Sequence, residues 1–444
     1  MILEELKDIA RECGVVGAGG AGFPSYAKLT DKADTVILNC VECEPLLKLH
    51  RQLLSLCTPQ IVKMLDTVRD TLGAKEAVIG IKGEYTETID ALIPVTEKYK
   101  KVRIQKVDAA YPMGDEVILI YEATGRVIRP GGLPIDENVV VFNVETMYNL
   151  YMAVTQHLGV SDKLVSVVGA VDNPRTIRVP LGMSGGDAVS AAGNITEDEY
   201  AFLIGGPMMG YVGKADTVVT KTCNAIIVLP KDHKLIQSAG KDLGIEKRRA
   251  SSACCQCRTC TDLCSRHALG HPIEPHRIMR AVANNDTSDL SAFKGAMYCS
   301  GCRICEKYAC PQGLSPASIL QEFKKAQRAA GIPVEKVSPK DPIAQREERK
   351  VPVHRLTQRL GLARYDKNAP LDNICIGAKT VRIPLSQHIG IPAKPVVKAG
   401  DAVKKGMLIG KAEQGLSVNI HSSTDGKVVS VDEYEITIIS SKES

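Results

Sequence analysis

The chain has 444 residues, which at ~150 residues per domain predicts about three domains or four small ones. Hydrophobic residues make up 44% and charged residues 24%, an ordinary globular composition that excludes a disordered protein. The net charge of +5 is concentrated in residues 324–364, with 11 Lys and Arg against 4 Asp and Glu; with no interleaved aromatics or nucleic-acid motif, this stretch reads as a solvated helix and linker, and nucleic acid is not an expected partner.

Met1-Ile-Leu-Glu-Glu-Leu-Lys7 has no basic segment followed by an apolar run, so it does not read as a secretory signal. No stretch approaches the ~18 consecutive apolar residues of a membrane span, and the expected location is the cytoplasm. Leu3, Leu6, Ile9 and Ala10 recur at helical spacing over residues 2–12. A glycine-rich loop follows, Gly17-Ala-Gly-Gly-Ala-Gly-Phe-Pro24. Val36-Ile-Leu-Asn39 and Ala77-Val-Ile-Gly-Ile81 read as buried strands, with a helix over 59–72 between them and another over 86–100. Val139–Asn143 is a further strand. Strands alternating with helices predict an α/β domain with a largely parallel sheet, ending near residue 158. Residues 164–229 read as a small α+β unit, with strands at 164–169, 176–180 and 225–230 around a helical 186–192. The cysteines fill residues 250–330 and lead into a helix over 316–329. After the basic connector, residues 375–444 read as short strands punctuated by Gly and Pro, a small β domain. No internal repeat of fixed period is visible.

Of the 15 cysteines, nine lie between Cys254 and Cys310. A secreted disulfide framework would be a small chain with cysteines throughout, so metal binding in a reducing compartment is the better reading. Cys254-Cys-Gln-Cys257-Arg-Thr-Cys260-Thr-Asp-Leu-Cys264 has the spacing of bacterial ferredoxins, where three cysteines bind one 4Fe–4S cluster and the fourth ligates the other. Cys299-Ser-Gly-Cys302-Arg-Ile-Cys305-Glu-Lys-Tyr-Ala-Cys310-Pro311 repeats it with one extra residue. By that logic Cys254, Cys257, Cys260 and Cys310 hold one cluster, and Cys264, Cys299, Cys302 and Cys305 the other. The rival is a pair of zinc sites, but zinc has no use for three cysteines at consecutive two-residue spacing, twice. Cys255 is an ambiguous neighbour, and His267, His271 and His276 read as surface or helix residues.

Clusters carry electrons one at a time, so two-electron chemistry must enter elsewhere. Gly17-Ala-Gly19-Gly20-Ala-Gly22 satisfies G-x-G-x-x-G, yet it follows a helix where a Rossmann loop follows a strand. Its glycines still let backbone N–H groups approach a phosphate or a ring. That loop through Lys28, then Asn39-Cys-Val-Glu42-Cys43-Glu44-Pro45, then Tyr111-Pro-Met-Gly114-Asp115-Glu116, then Phe142-Asn143-Val-Glu145-Thr146, is similar to the FMN-binding, NADH-oxidising flavoprotein subunit of respiratory complex I and to its relatives, the RnfC proteins. The motifs cover residues 15–150, and the following segments extend the resemblance over nearly the whole chain. It implies a multidomain α/β and α+β protein. The expected parts are a Rossmann-like FMN/NADH-binding α/β domain (1–158), a β-grasp, SLBB-like domain (159–232), a helical ferredoxin-like domain with two 4Fe–4S clusters (245–335), a basic linker (336–374) and a barrel-sandwich hybrid domain (375–444).

The resemblance also implies roles. Gly17, Gly19, Gly20 and Lys28 become FMN contacts, with Lys28 bringing charge to the phosphate or flavin. Asn39, Glu42 and Cys43 match ribityl- and ring-contacting positions; Tyr111, Gly114 and Asp115 form a second wall; Asn143 and Thr146 match the phosphate end. For NADH, Phe23 stacks on the nicotinamide, with carboxylates at Glu44 and Glu116. The chain departs from the complex I pattern at Val41, where the pattern is acidic, and at Phe142, where it has Asn. The second aromatic that sandwiches adenine is replaced by the Arg129-Pro-Gly-Gly-Leu133-Pro region.

In the tail, Pro384-Leu-Ser-Gln-His388-Ile-Gly-Ile-Pro392, Gly400-Asp-Ala-Val-Lys-Lys-Gly406 and His421-Ser-Ser-Thr-Asp-Gly426 look like a barrel-sandwich hybrid module, akin to lipoyl and biotinyl domains. Its presenting turn, Glu413-Gln-Gly-Leu-Ser417, has no lysine, so no swinging arm is expected. In RnfC proteins this module precedes the flavin domain. Here it follows the clusters, an order that resembles the PduS-type cobalamin reductases of propanediol-utilising microcompartments. That resemblance implies electrons from NADH through FMN, needed because clusters cannot accept hydride, then through both clusters to a corrinoid. The implied partners are a corrinoid adenosyltransferase and a microcompartment shell protein. The alternatives are an RnfC-like subunit with another acceptor and a non-catalytic carrier that lacks NADH binding. No catalytic acid or base is assigned.

Overall fold

Helix α1 (Leu3–Glu12) buries Leu6 and Ala10 against the first domain, as their spacing requires. In the computed structural model, which describes residues 1–441, the elements that follow are β1 (Thr35–Cys40), α2 (Leu49–Leu56), α3 (Thr58–Thr71), β2 (Glu76–Lys82), α4 (Thr86–Thr96), β3 (Val102–Val107), β4 (Ala110–Tyr111), α5 (Glu116–Thr124), β5 (Val139–Asn143) and α6 (Val144–Gln156). Residues 442–444 of the expected last domain lie outside the described residues. Four strands form a parallel sheet in the order β3-β2-β1-β5. β1 and β2 are buried almost throughout because helices cover both faces. β3 was not expected from the sequence. Its Val-Arg-Ile-Gln-Lys-Val alternation belongs to an edge strand, which needs no continuous apolar run. The strand order reverses at β1, with β2 and β3 on one side and β5 on the other. Such a reversal opens a crevice beyond the carboxyl ends of the strands, here those of β1 and β5.

The second unit is a six-stranded mixed sheet. It contains the expected strands, Asp162–Gly169, Arg175–Pro180 and Ala225–Pro230, and adds a hairpin of Tyr200–Ile204 with Tyr211–Gly213. Its outermost strand, Leu371–Cys375, comes from the far end of the basic connector and pairs in parallel with Arg175–Pro180. The connector is therefore built into the fold. Val351–Pro352 pairs with β4, Val353–Arg359 is helical, and Arg346 and Lys350 pair with Glu122 and Asp108 of the first domain. A buried ion pair between Lys163 and Glu145, in which Lys163 also donates to Asn224 Oδ1, ties this sheet to α6. Helices Leu243–Ala253, Pro275–Ala283 and Pro316–Ala329 surround the cysteine loops with a core of Ile273, Ile278, Met279, Ile319 and Leu320.

The C-terminal barrel is built from a four-stranded and a three-stranded sheet. It rests on the N-terminal part of the chain. Arg11 Nη2 donates to Glu413 O (2.7 Å) and Tyr26 Oη to Gly415 O (3.0 Å). Gly14 is left-handed (φ 69°), and a Cβ there would come 2.3 Å from Asn419 O. Buried Lys221 of the middle unit donates to both Gly14 O (2.7 Å) and Asn419 O (3.3 Å), which joins three units at one point. Among the described residues no helix is long and apolar enough to cross a membrane.

Candidate active site: a crevice joined to two cysteine sets

The crevice beyond β1 and β5 collects most of the residues expected to face a flavin. Thr146 Oγ1, in the first turn of α6, accepts from Ala18 N (2.9 Å) and donates to Val16 O (3.2 Å), which fixes the glycine loop across the sheet edge. A Cβ on Gly19 would stand 2.5 Å from Asn143 Nδ2, whereas Gly20 has nothing within 4 Å and faces open space. Asn143 caps α6 through Glu145 N (2.9 Å), and its Nδ2 lies 3.1 Å from Nε2 of His50. The second wall is stitched to β1: Asn39 Nδ2 donates to Gly114 O (3.0 Å), and a Cβ on Gly114 would meet Val41 O at 2.4 Å. Lys28 Nζ donates to Glu116 Oε1 (2.7 Å) and to Val141 O (3.1 Å).

The electrostatics of the crevice are unbalanced. Glu42 is buried, and one carboxylate oxygen accepts from Arg51 N (3.3 Å) while Oε1 has no hydrogen-bond donor. The His50 ring, 3.4 Å from that oxygen, does not neutralise it, because burial pushes the imidazole down to about 3 and keeps it uncharged. Burial also raises the Glu42 carboxyl and pushes the neighbouring Cys43 thiol up to about 12. An orphaned buried carboxylate oxygen beside a glycine loop with open space fits a bound group that offers N–H or O–H donors.

Other expected residues are turned elsewhere. Glu44 accepts from Met208 N (2.8 Å) and Met209 N (3.1 Å), so it faces the middle unit, where burial pushes it up to about 7. Gly17 N donates to Phe23 O (2.9 Å), and the Phe23 ring is half-buried at the loop. Asp115 caps α5 and pairs with Arg266 through Nη2 at 2.8 and 2.9 Å and Nε at 3.2 Å. Tyr111 is buried, and its hydroxyl donates to Cys302 O (2.7 Å).

Among the described residues no cysteine is in a disulfide. Cys260 has Cys310, Cys254 and Cys257 around it, and burial together with these neighbours pushes it up to about 12. Cys302 neighbours Cys264 and Cys299, and Cys305 neighbours Cys299, Cys302 and Cys264. Cys264, Cys299, Cys302 and Cys305 line one cavity with Pro112 and Arg266. Both loops follow the same path. The residues before and after the second cysteine are left-handed in each: Gln256 (φ 54°) and Arg258 (66°) in one, Gly301 (77°) and Arg303 (60°) in the other. A non-glycine residue held there costs about 1–2 kcal/mol, and such strain repeated at matching positions marks a backbone shaped around a bound group. Donors point at the sulfurs: Gln256 Nε2 to Cys254 (3.2 Å), Thr259 Oγ1 to Cys257 (3.3 Å), Gly301 N to Cys299 (3.4 Å) and Leu314 N to Cys310 (3.4 Å). Among the described residues no three His, Cys, Asp or Glu side chains form a group that could hold a single metal ion. Cys255 is exposed, His271 is bonded to Ile128 O (2.8 Å), and His276 to Thr261 (2.8 Å).

Sequence reasoning missed Arg266 and His50. A cation two positions after Cys264 was a usable signal for the first, whereas nothing in the pattern singles out His50.

Four family models match the chain: the Nuo51 FMN-binding domain over residues 10–152, the SLBB domain over 164–212, the 4Fe-4S dicluster domain over 253–315 and the RnfC barrel sandwich hybrid domain over 364–444. The chain therefore carries an FMN-binding domain and a 4Fe–4S dicluster domain. It is 29% identical over 60% of its length, and 59% of the relative's, to a component of the Na(+)-translocating ferredoxin:NAD(+) oxidoreductase complex of Acetobacterium woodii. It is 38% identical to the cobalamin reductase PduS of Citrobacter freundii, and 39% identical to that of Salmonella typhimurium, in each case over 98% of this chain and 96% of the relative. At that identity and coverage, the chain belongs to the family of the PduS cobalamin reductases.

Proposed function

We propose that this protein is an NADH-dependent oxidoreductase that uses FMN and two 4Fe–4S clusters to reduce a corrinoid, cob(III)- or cob(II)alamin. The observation that carries the reading is the hydrogen bond from Tyr111, in the wall of the crevice, to the carbonyl of Cys302. Through it the crevice and the second cysteine set share one bonded path. Bound FMN supplies the conversion of a hydride's two electrons into single electrons, which clusters carry one at a time.

The side chains prepare that chemistry. Gly20 keeps the loop approachable, and Thr146 and Asn143 hold it in place. Lys28 has three N–H donors, and two are engaged by Glu116 and Val141, which leaves one for a phosphate. Glu42 Oε1 is an acceptor for a flavin N–H or a ribityl hydroxyl. Cys254, Cys257, Cys260 and Cys310 would hold one cluster, and Cys264, Cys299, Cys302 and Cys305 the other. For NADH, Phe23 offers the stacking surface. Glu116 is bonded through Oε1 to Lys28, whereas Glu44 has both carboxylate oxygens bonded to Met208 N and Met209 N, which favours a second reading, a carrier charged by another protein. The first reading makes a corrinoid adenosyltransferase and a microcompartment shell protein the expected partners, in the cytoplasm.

Anaerobic purification with assays of iron, sulfide and flavin, followed by NADH and then hydroxocobalamin, tests the proposal. About eight irons per chain with FMN, flavin bleaching by NADH and the appearance of cob(II)alamin are expected. Iron and flavin without bleaching would leave the carrier, and zinc in place of iron would overturn both readings.

A further inference from the structure

We infer that Arg266 sets the reduction potentials of the two clusters apart, by fixing a positive charge beside the second cysteine set that the first set lacks. The inference rests on the reading above that both sets hold clusters.

The two loops are matched in backbone, so what differs is their surroundings. Each loop carries its own arginine after the second cysteine, and each of these is paired with an acid: Arg258 with Asp262 (3.5 Å) and Arg303 with Glu306 (3.0 Å). Both arginines are offset by these acids, with Asp262 shared between Arg258 and Arg349 (3.6 Å). Arg266 has no counterpart. It lines the cavity bounded by Cys264, Cys299, Cys302 and Cys305, is one-fifth exposed, and interacts with Cys302 and Cys264 as well as with Asp115. A second cation, Lys324, donates to Cys299 O (2.5 Å) on the same set. The side-chain donors to the first set's sulfurs include Gln256, Thr259 and Thr261, all uncharged, and Cys257 is exposed.

Reduction of a cluster adds one electron, makes and breaks no bond and takes up no proton, so the reduced form bears one more negative charge. A fixed cation favours that form and raises the potential, and the effect grows as water is excluded. Burial alone pulls the other way, by disfavouring added charge. Arg266 opposes that penalty at the buried set. Asp115, bonded to Arg266 and also within electrostatic reach of Cys302, offsets part of the cation's effect. The two residues must therefore act with opposite sign.

The experiment is an anaerobic redox titration with dithionite, followed by electron paramagnetic resonance, on the holoenzyme and on Arg266→Gln, Arg266→Lys and Asp115→Asn, with iron counted in each. In Arg266→Gln one potential is expected to move to more negative values while the other stays put. Arg266→Lys restores most of that shift, and Asp115→Asn moves the same potential the other way. Two cluster signals in the wild type with both potentials, or neither, moved by Arg266→Gln would overturn the inference and leave the functional reading intact. If Arg266→Gln fails to hold iron, Asp115→Asn decides: the absence of a selective positive shift overturns the inference. A wild type without cluster signals sinks the functional reading itself.

Discussion

The two cysteine loops are alike in spacing and in their left-handed residues, yet one opens to solvent at Cys255 and Cys257 and the other is enclosed against the crevice wall. Local sequence builds the cage, and tertiary setting decides what the cage is next to. The largest test of this contrast removes one ligand from each set. Cys257→Ser and Cys305→Ser should each lose about half of the ~eight irons, but only Cys305→Ser, in the enclosed set, should also lower thermal stability. Equal stability losses would break the contrast. Next in size, Tyr111→Phe should keep FMN and iron while slowing cluster reduction by NADH several-fold in stopped-flow measurements. Thr259→Val, beside the exposed set, should leave that step unchanged.

A smaller effect concerns Glu44, which lies beside Lys307 of the second run and is bonded to residues 208 and 209. Its carboxyl is raised from 4.5 to about 7 in the folded protein, so the fold holds that proton more tightly than the unfolded chain does. The stabilisation is present below pH 4.5 and is lost as pH rises through 7. Urea unfolding should show the wild type losing about 1 kcal/mol relative to Glu44→Gln across that window, reduced from the full shift by partial exposure. A flat difference would remove Glu44 as a titrating clasp. The smallest expected effect is none: Cys255→Ser should keep all its iron.

The parts legible in the sequence were those encoded by short-range pattern. The ferredoxin spacing, the glycine loop and the alternation around Val36 and Ala77 each depend on residues close in the chain. Apart from Arg266, most of what was missed depends on tertiary setting. β3 escaped because an edge strand can alternate polar and apolar residues. Leu371–Cys375 escaped because its pairing partner is Arg175–Pro180, almost 200 residues earlier. The connector looked solvated because its charges meet their counter-ions, Glu122 and Asp108, only once the first domain has folded. Glu44 sits in a motif next to crevice residues, yet the amides of Met208 and Met209 draw it away. No local pattern could announce that competition.

The barrel at the end of the chain touches residues 11, 14 and 26 near its beginning. Moving that module to the front would ask for a new connector, with every one of those contacts retained. The arrangement in space is thus set by these contacts and not by the order of the modules along the chain, so a circularly permuted chain with the barrel first should keep it.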